Sequence, residues 1–243
     1  METTLTLEVI TPVFMSGANQ SVPELRAASF KGALRYWFRA MMGNVTKNID
    51  KLKSVEADIF GSTEKTSNLI IYIADKREDI YRITENNDTE VKDGIAYLGY
   101  AFVKWTKGKG FVWKKPYYIP VLGGKGTYFA IKFIFRRFDV WKRYRNAIEA
   151  SLWLLSHFGG LGARTRRGFG SIRCRDIDSS WLDWSYSCDD QYFRKNLEKI
   201  QKEFINLASV SSPSGTDEYP LLRVGEYIHV GKAVTFGLGK YSL

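Results

Sequence analysis

The densest set of chemically capable residues is Gly159–Ser171, GGLGARTRRGFGS, with five glycines, three arginines and no acid. Glycine lets a backbone approach a ligand, and guanidinium groups add charge beside exposed amides. Gly159, Gly160, Gly162, Gly168 and Gly170 together with Arg164, Arg166 and Arg167 therefore predict a phosphate cradle. A plain glycine-rich turn is the alternative; it accounts for the glycines but not for three arginines without a carboxylate. The spacing departs from GxxxxGK[ST], which disfavours nucleotide hydrolysis.

A second set is Lys31, Arg35 and Arg39, cations at i, i+4 and i+8 on one flank of a predicted helix, where a phosphate chain could follow them. Like charges at this spacing repel by a few tenths of a kcal/mol, and no acid lies between Lys31 and Arg39, so a polyanionic partner is favoured over an ordinary solvated face. Ser29 and Gly32 stand near the helix start, where free N–H groups favour an anion. Trp37 sits at the edge of the apolar arc formed by Phe30, Leu34, Phe38 and Met41; its phase favours the core over a base-stacking platform. A third set, Lys104–Tyr118, interleaves five lysines with Trp105, Phe111, Trp113, Tyr117 and Tyr118 around a KGKG hairpin turn. It could present lysines to phosphates and an aromatic to a base, or simply pack its aromatics on the body.

Acid–base or metal chemistry is poorly supplied. The two histidines have quiet explanations: His157 falls in the last turn of a helix, and His229 in YIHVGK at a strand edge. The acidic run Asp183–Asp190 reads as a loop rather than a metal site, and Cys174 and Cys188 read as free thiols. The expectation is no catalytic residue, no metal and no cofactor, although tyrosines and lysines could replace histidine as proton carriers.

The charge distribution supports a polyanionic partner. The 243 residues carry 36 Lys and Arg against 26 Asp and Glu, a net charge of +10. Lys132–Arg175 alone holds eleven bases, nine of them arginine, against Asp139 and Glu149, so almost all of the excess belongs to one piece of chain. Arginine matches phosphate oxygens and stacks on bases, which favours nucleic acid over a lysine-led membrane patch. The longest apolar run, Leu69–Ala74, is far short of the ~20 residues that cross a bilayer, and the N-terminus lacks a signal-peptide pattern. A cytoplasmic protein without a membrane partner is expected, and 44% apolar residues suffice for a core.

Positioning these residues requires strands at Thr4–Ile10, Leu69–Ile73, Thr127–Arg136 and Phe169–Arg173, and helices from Ser29 to about Met42 and from Asp139 to Phe158. Ser29 is predicted to cap the first helix, and Gly43 and Asn44 to end it. The order strand, helix, strand, strand, helix, strand predicts an α+β, ferredoxin-like module of the kind shared by RNA recognition motifs. RGFGSI at Arg167–Ile172 resembles the RNP1 octamer, but it belongs to the fourth strand rather than the third, and the match is set aside. The module spans 1–175 with an insertion at 75–125. Residues 176–243 contain another helix at Gln191–Leu207, a flexible connection at Ser209–Pro220 and a tail in which TFGLG echoes FGGLG.

Four segments together, ITPVFMSGA at Ile10–Ala18, ELRAASFKGALRYWFRAMMG at Glu24–Gly43, FGS at Phe60–Ser62 and the glycine loop, resemble the RAMP superfamily of CRISPR proteins. Within it they are similar to the first-numbered Cmr subunits of type III-B effector complexes. The resemblance runs from Thr3 to Ile172. It implies two ferredoxin-like modules, the second reduced in this chain, and a non-nucleolytic subunit that holds the 3′ region of the guide RNA and helps capture target RNA in antiviral defence. The implied partners are single-stranded guide and target RNA and the other Cmr subunits. By the same resemblance Lys31, Arg35, Trp37 and Arg39 match the helix motif, and Arg164, Arg166 and Arg167 the loop. The competing class is a metal-independent endoribonuclease, since some RAMP relatives process precursor CRISPR RNA.

Overall fold

Alternation of apolar and polar residues builds a sheet with one dry face. The computed structural model describes residues 1–81, 90–177 and 179–209. Strand β1 (Glu2–Val9) pairs antiparallel with β7 (Tyr128–Phe135) on one side and β8 (Ile172–Arg175) on the other, and β7 pairs with β2 (Leu69–Arg77). The sheet order is β2-β7-β1-β8. Register aligns Leu5 with Ile131, Leu7 with Phe129 and Cys174, Val9 with Ile172, and Ile71 with Phe133, so every second side chain falls on one buried face.

Two long helices contribute to the core that covers this face. In α1 (Ala27–Val45) Phe30, Leu34, Phe38 and Met42 are fully buried, and Phe30 meets Phe133 edge-on at 6.1 Å. Helix α4 (Phe138–His157) packs against α1 and buries Ala147, Ser151, Trp153 and Leu154. Helix α5 (Asp190–Ser209) rests on both, with Phe204 5.4 Å from Phe38. At ~25 cal/mol per Å² of apolar area, each such aromatic contributes a few kcal/mol.

Helix α1 differs from its expected bounds. It starts at Ala27 with Arg26 in the extended capping position, so Ser29 lies inside the first turn, and it runs through Gly43 and Asn44 to Val45. The last strand begins at Ile172 rather than Phe169, because Phe169 turns into a second core. Helix α2 (Ile49–Phe60) was not anticipated, although Leu52, Val55 and Ile59 have helical spacing and the Asn48 side chain accepts the Lys51 amide at 2.9 Å.

The insertion has structure of its own. It contains β3 (Ile80–Tyr81), which pairs with β6 (Tyr117–Tyr118), a short helix α3 (Asp93–Leu98), and the hairpin of β4 (Val103–Thr106) with β5 (Gly110–Trp113). The hairpin turns at the expected KGKG, where Gly108 and Gly110 take φ of 79° and 71°, open to glycine at little cost. Phe102, Val103 and Trp113 form a second core that receives Phe14 and Phe169 from the main body. His229, the TFGLG segment and nearly all of the Ser209–Pro220 connection lie outside the described residues.

Candidate nucleic-acid interface

The cation stripe of α1 has a partner that its own helix does not supply. Glu56, on α2, is buried with a side chain 4% exposed; Arg39 grips it through Nε to Oε2 at 3.0 Å and Nη2 to Oε1 at 2.5 Å, and Arg35 Nε donates to the same carboxylate. Burial pushes the Glu56 pKa up, but hydrogen bonds and charge from Arg39 and Arg35 outweigh it and hold the carboxyl below its ordinary value. The premise that no acid offsets these arginines is therefore corrected: proximity in space replaces proximity in sequence. Side-chain exposures of 38% for Arg35 and 57% for Arg39 leave outward N–H groups accessible. Lys31 is more committed, with Nζ donating to Ser67 Oγ at 2.5 Å and to the Leu69 carbonyl at 2.9 Å. Burial, then Arg35 and Arg136, lower its pKa.

Trp37 is 7% exposed and belongs to the main core, which removes it as a stacking platform. Its indole nitrogen lies 2.4 Å from where a Cβ on Gly159 would stand, so it buttresses the entry to the glycine loop.

The loop closes on the chain itself. Leu161 N donates to Gly170 O at 2.8 Å, Ala163 N to Phe14 O at 2.8 Å and Gly170 N to Pro12 O at 2.9 Å. A Cβ at Gly160 would meet Gly170 O at 2.7 Å, at Gly162 Phe14 O at 2.4 Å, and at Gly170 Leu161 O at 2.0 Å. Backbone packing by itself requires glycine at these three positions. Gly168, with φ of 84°, ends a short 3-10 turn over Thr165–Arg167. The arginines stand on this turn's rim, Arg166 exposed and Arg164 and Arg167 half-buried.

Sequence reasoning missed Tyr100. It follows α3, is 59% exposed, and carries the Arg164 guanidinium 4.2 Å above its ring centroid and that of Arg167 at 5.6 Å. Hydrogen bonding to Arg164, and its charge, lower the Tyr100 pKa. No periodicity signals this contact; only the fold of the insertion brings it about. Arg164 itself sits in the left-handed region with φ of 63°, uncommon for a side chain with a Cβ. In the third set, Trp113 and Tyr118 are buried, whereas Lys104, Trp105, Lys107 and Lys109 are exposed.

Lys31 and the glycine loop stand at opposite edges of the sheet. Lys31 reaches the start of β2 at one edge of the sheet, while the loop leads into β8 at the other, three strand spacings or roughly 14 Å away. His157 is held between Trp153 and Tyr186, at 3.9 and 4.4 Å, with Nδ1 bonded to the Trp153 carbonyl and Nε2 to the Tyr192 hydroxyl, each at 2.8 Å. Both ring nitrogens are engaged within the fold. No helix among the described residues is long and apolar enough to cross a membrane.

Residues 6–173 match the RAMP superfamily. The CRISPR system Cmr subunit Cmr1-2 of Pyrococcus furiosus is 36% identical over 183 residues, which cover 69% of this chain and 91% of that protein. Cmr1-1 of the same organism is 31% identical over 173 residues, covering 66% of this chain but 44% of that longer protein. The crystal structure of Cmr1 from Pyrococcus furiosus in its apo form matches with a TM-score of 0.60 at 23% identity, over 100% of this chain and 78% of that one. A chain in the cryo-EM structure of the type III-B Cmr-beta complex bound to cognate target RNA matches with a TM-score of 0.50 at 15% identity, over 84% of this chain and 62% of that one.

Proposed function

The chain belongs to the RAMP superfamily and to the Cmr1 family within it, and on that premise we propose that it is a non-catalytic, RNA-binding subunit of a type III-B CRISPR effector complex. In this reading it contacts the 3′ region of the guide RNA, helps capture target RNA in antiviral defence, and is held by other Cmr subunits. The sheet order β2-β7-β1-β8, renumbered by the main module's own four strands, runs two-three-one-four and supports a ferredoxin-like module over 1–175; residues 176–243 are read, from the family resemblance alone, as a reduced second one. The observation that carries the RNA reading is the rim of Arg164, Arg166 and Arg167, on a loop whose own sequence holds no acid, beside an exposed aromatic ring. Phosphate contacts from these three arginines lead; Arg35 and Arg39 form a second contact through the N–H groups that Glu56 leaves outward, and Lys31 contributes least. The Cmr-beta complex bound to cognate target RNA, which contains a chain of similar fold, supports the choice of ligand.

The test is binding of labelled single-stranded RNA to the purified chain in chelator, with cleavage scored in the same tube. Replacing Arg164, Arg166 and Arg167 together by Ala removes up to three charge-assisted contacts, each worth ~1.5–3 kcal/mol before losses to solvent, so affinity should fall at least tenfold. Unchanged affinity in the folded triple variant would refute the rim as the RNA site. Specific scission abolished by His157→Ala would replace the binder with an endoribonuclease; the engagement of both His157 nitrogens argues against that outcome.

A further inference from the structure

The insertion presents aromatic surface beside the arginine rim. Six aromatic side chains are exposed among the described residues, and three of them, Tyr97 at 76%, Tyr100 at 59% and Trp105 at 65%, fall within nine residues of the insertion. This segment is firmly placed. Phe169 of the glycine loop packs edge-on against Phe102 at 6.4 Å and against Trp113 at 6.1 Å, and a Cβ on Gly99 would meet both Phe169 and Trp113 at 3.2 Å. Tyr100 follows directly, and the two guanidiniums over its ring fix its attitude while more than half of its surface stays in water.

An arginine stacked on an aromatic ring keeps its edge N–H groups available, so phosphate recognition and ring stacking are compatible at one place. Every nucleobase offers a π-face, and a platform of this kind binds single strands with little regard to sequence. We infer that Tyr100 is a nucleobase-stacking platform, with the Arg164–Arg167 rim taking the phosphate of the nucleotide stacked on it. This deepens, and rests on, the RNA-binding reading above.

The experiment compares two probes of equal length on the full chain, single-stranded oligoadenylate and an abasic oligomer with the same phosphates. Tyr100→Leu keeps an apolar side chain and removes the π-face; Tyr100→Phe keeps the ring. The expected result is a loss of about fivefold or more for Tyr100→Leu on oligoadenylate, less than twofold on the abasic probe, and near-normal binding by Tyr100→Phe. Thermal unfolding of each variant confirms that the chain is folded. Equal loss on both probes would overturn the platform and leave Tyr100 as a support for the arginines. No loss on either, with binding still sensitive to the triple arginine replacement, would overturn it too and leave the exposed ring to contact with a neighbouring protein. A wild-type chain that binds neither probe would refute the RNA-binding reading itself and this inference with it.

Discussion

Glu56 controls what the α1 arginines can do. Its carboxylate is buried, and three guanidinium N–H groups converge on it. Replacing it by Gln should destabilise the fold by about 1–3 kcal/mol, below the usual toll of breaking a buried pair because both arginines reach solvent. Since its pKa is lowered in the fold, the stabilisation is complete above the unfolded value of about 4.3 and is lost as pH falls through the folded one. Thermal unfolding from pH 7 to pH 3 should therefore show a shallower acid loss in Glu56→Gln than in the wild type. If Arg35 and Arg39 touch phosphate, the same variant frees their donors and should bind RNA more tightly at neutral pH. Weaker binding in a folded Glu56→Gln would instead mean that the carboxylate orients them. Arg35 and its spacing to Arg39 were legible in the sequence; Glu56, 21 residues further on, was not, because no local period relates α1 to α2.

At the scale of elements, the glycine loop is a packed joint. Gly170, with φ of 74° and no room for a Cβ, should not tolerate Ala, and a loss of about 2 kcal/mol or more is expected in denaturant unfolding. Gly32, exposed in α1 with nothing within 4 Å of an added Cβ, is the contrast: Gly32→Ala should stabilise by roughly 0.5–1 kcal/mol. Equal effects at the two sites would contradict the joint. Phe169 joins the loop to the insertion, being 5% exposed and in contact with Phe14, Phe102 and Trp113. Phe169→Ala should remove ~3 kcal/mol and, by loosening the relation of Tyr100 to the arginines, weaken RNA binding beyond what the lost stability explains. The hairpin turn at KGKG was readable because φ-permissive glycines mark it. The role of Phe169 was not, because a loop aromatic has no period to betray which core it enters.

For the whole molecule, affinity for single-stranded RNA should fall with salt at a log–log slope near ~0.7 per phosphate contact, and the triple arginine variant should lower that slope by up to roughly 2. A slope unaffected by the triple replacement would place the RNA elsewhere on the surface. The sequence by itself determined the order of the four sheet strands and of α1 and α4 among them, though not α2, together with the concentration of charge in Lys132–Arg175 and the family to which the motifs belong. Periods of 2 and 3.6 residues and the count of charges are local properties, and local properties survive in a one-dimensional text. The tertiary structure alone decided which of the candidate side chains remain available. Glu56 claims Arg35 and Arg39, Ser67 and the Leu69 carbonyl claim Lys31, the core takes Trp37, and Tyr100 arrives from the insertion to meet Arg164. Ion pairs and ring contacts act over a few ångströms between residues far apart in the chain, and only strand register and helix packing set those distances.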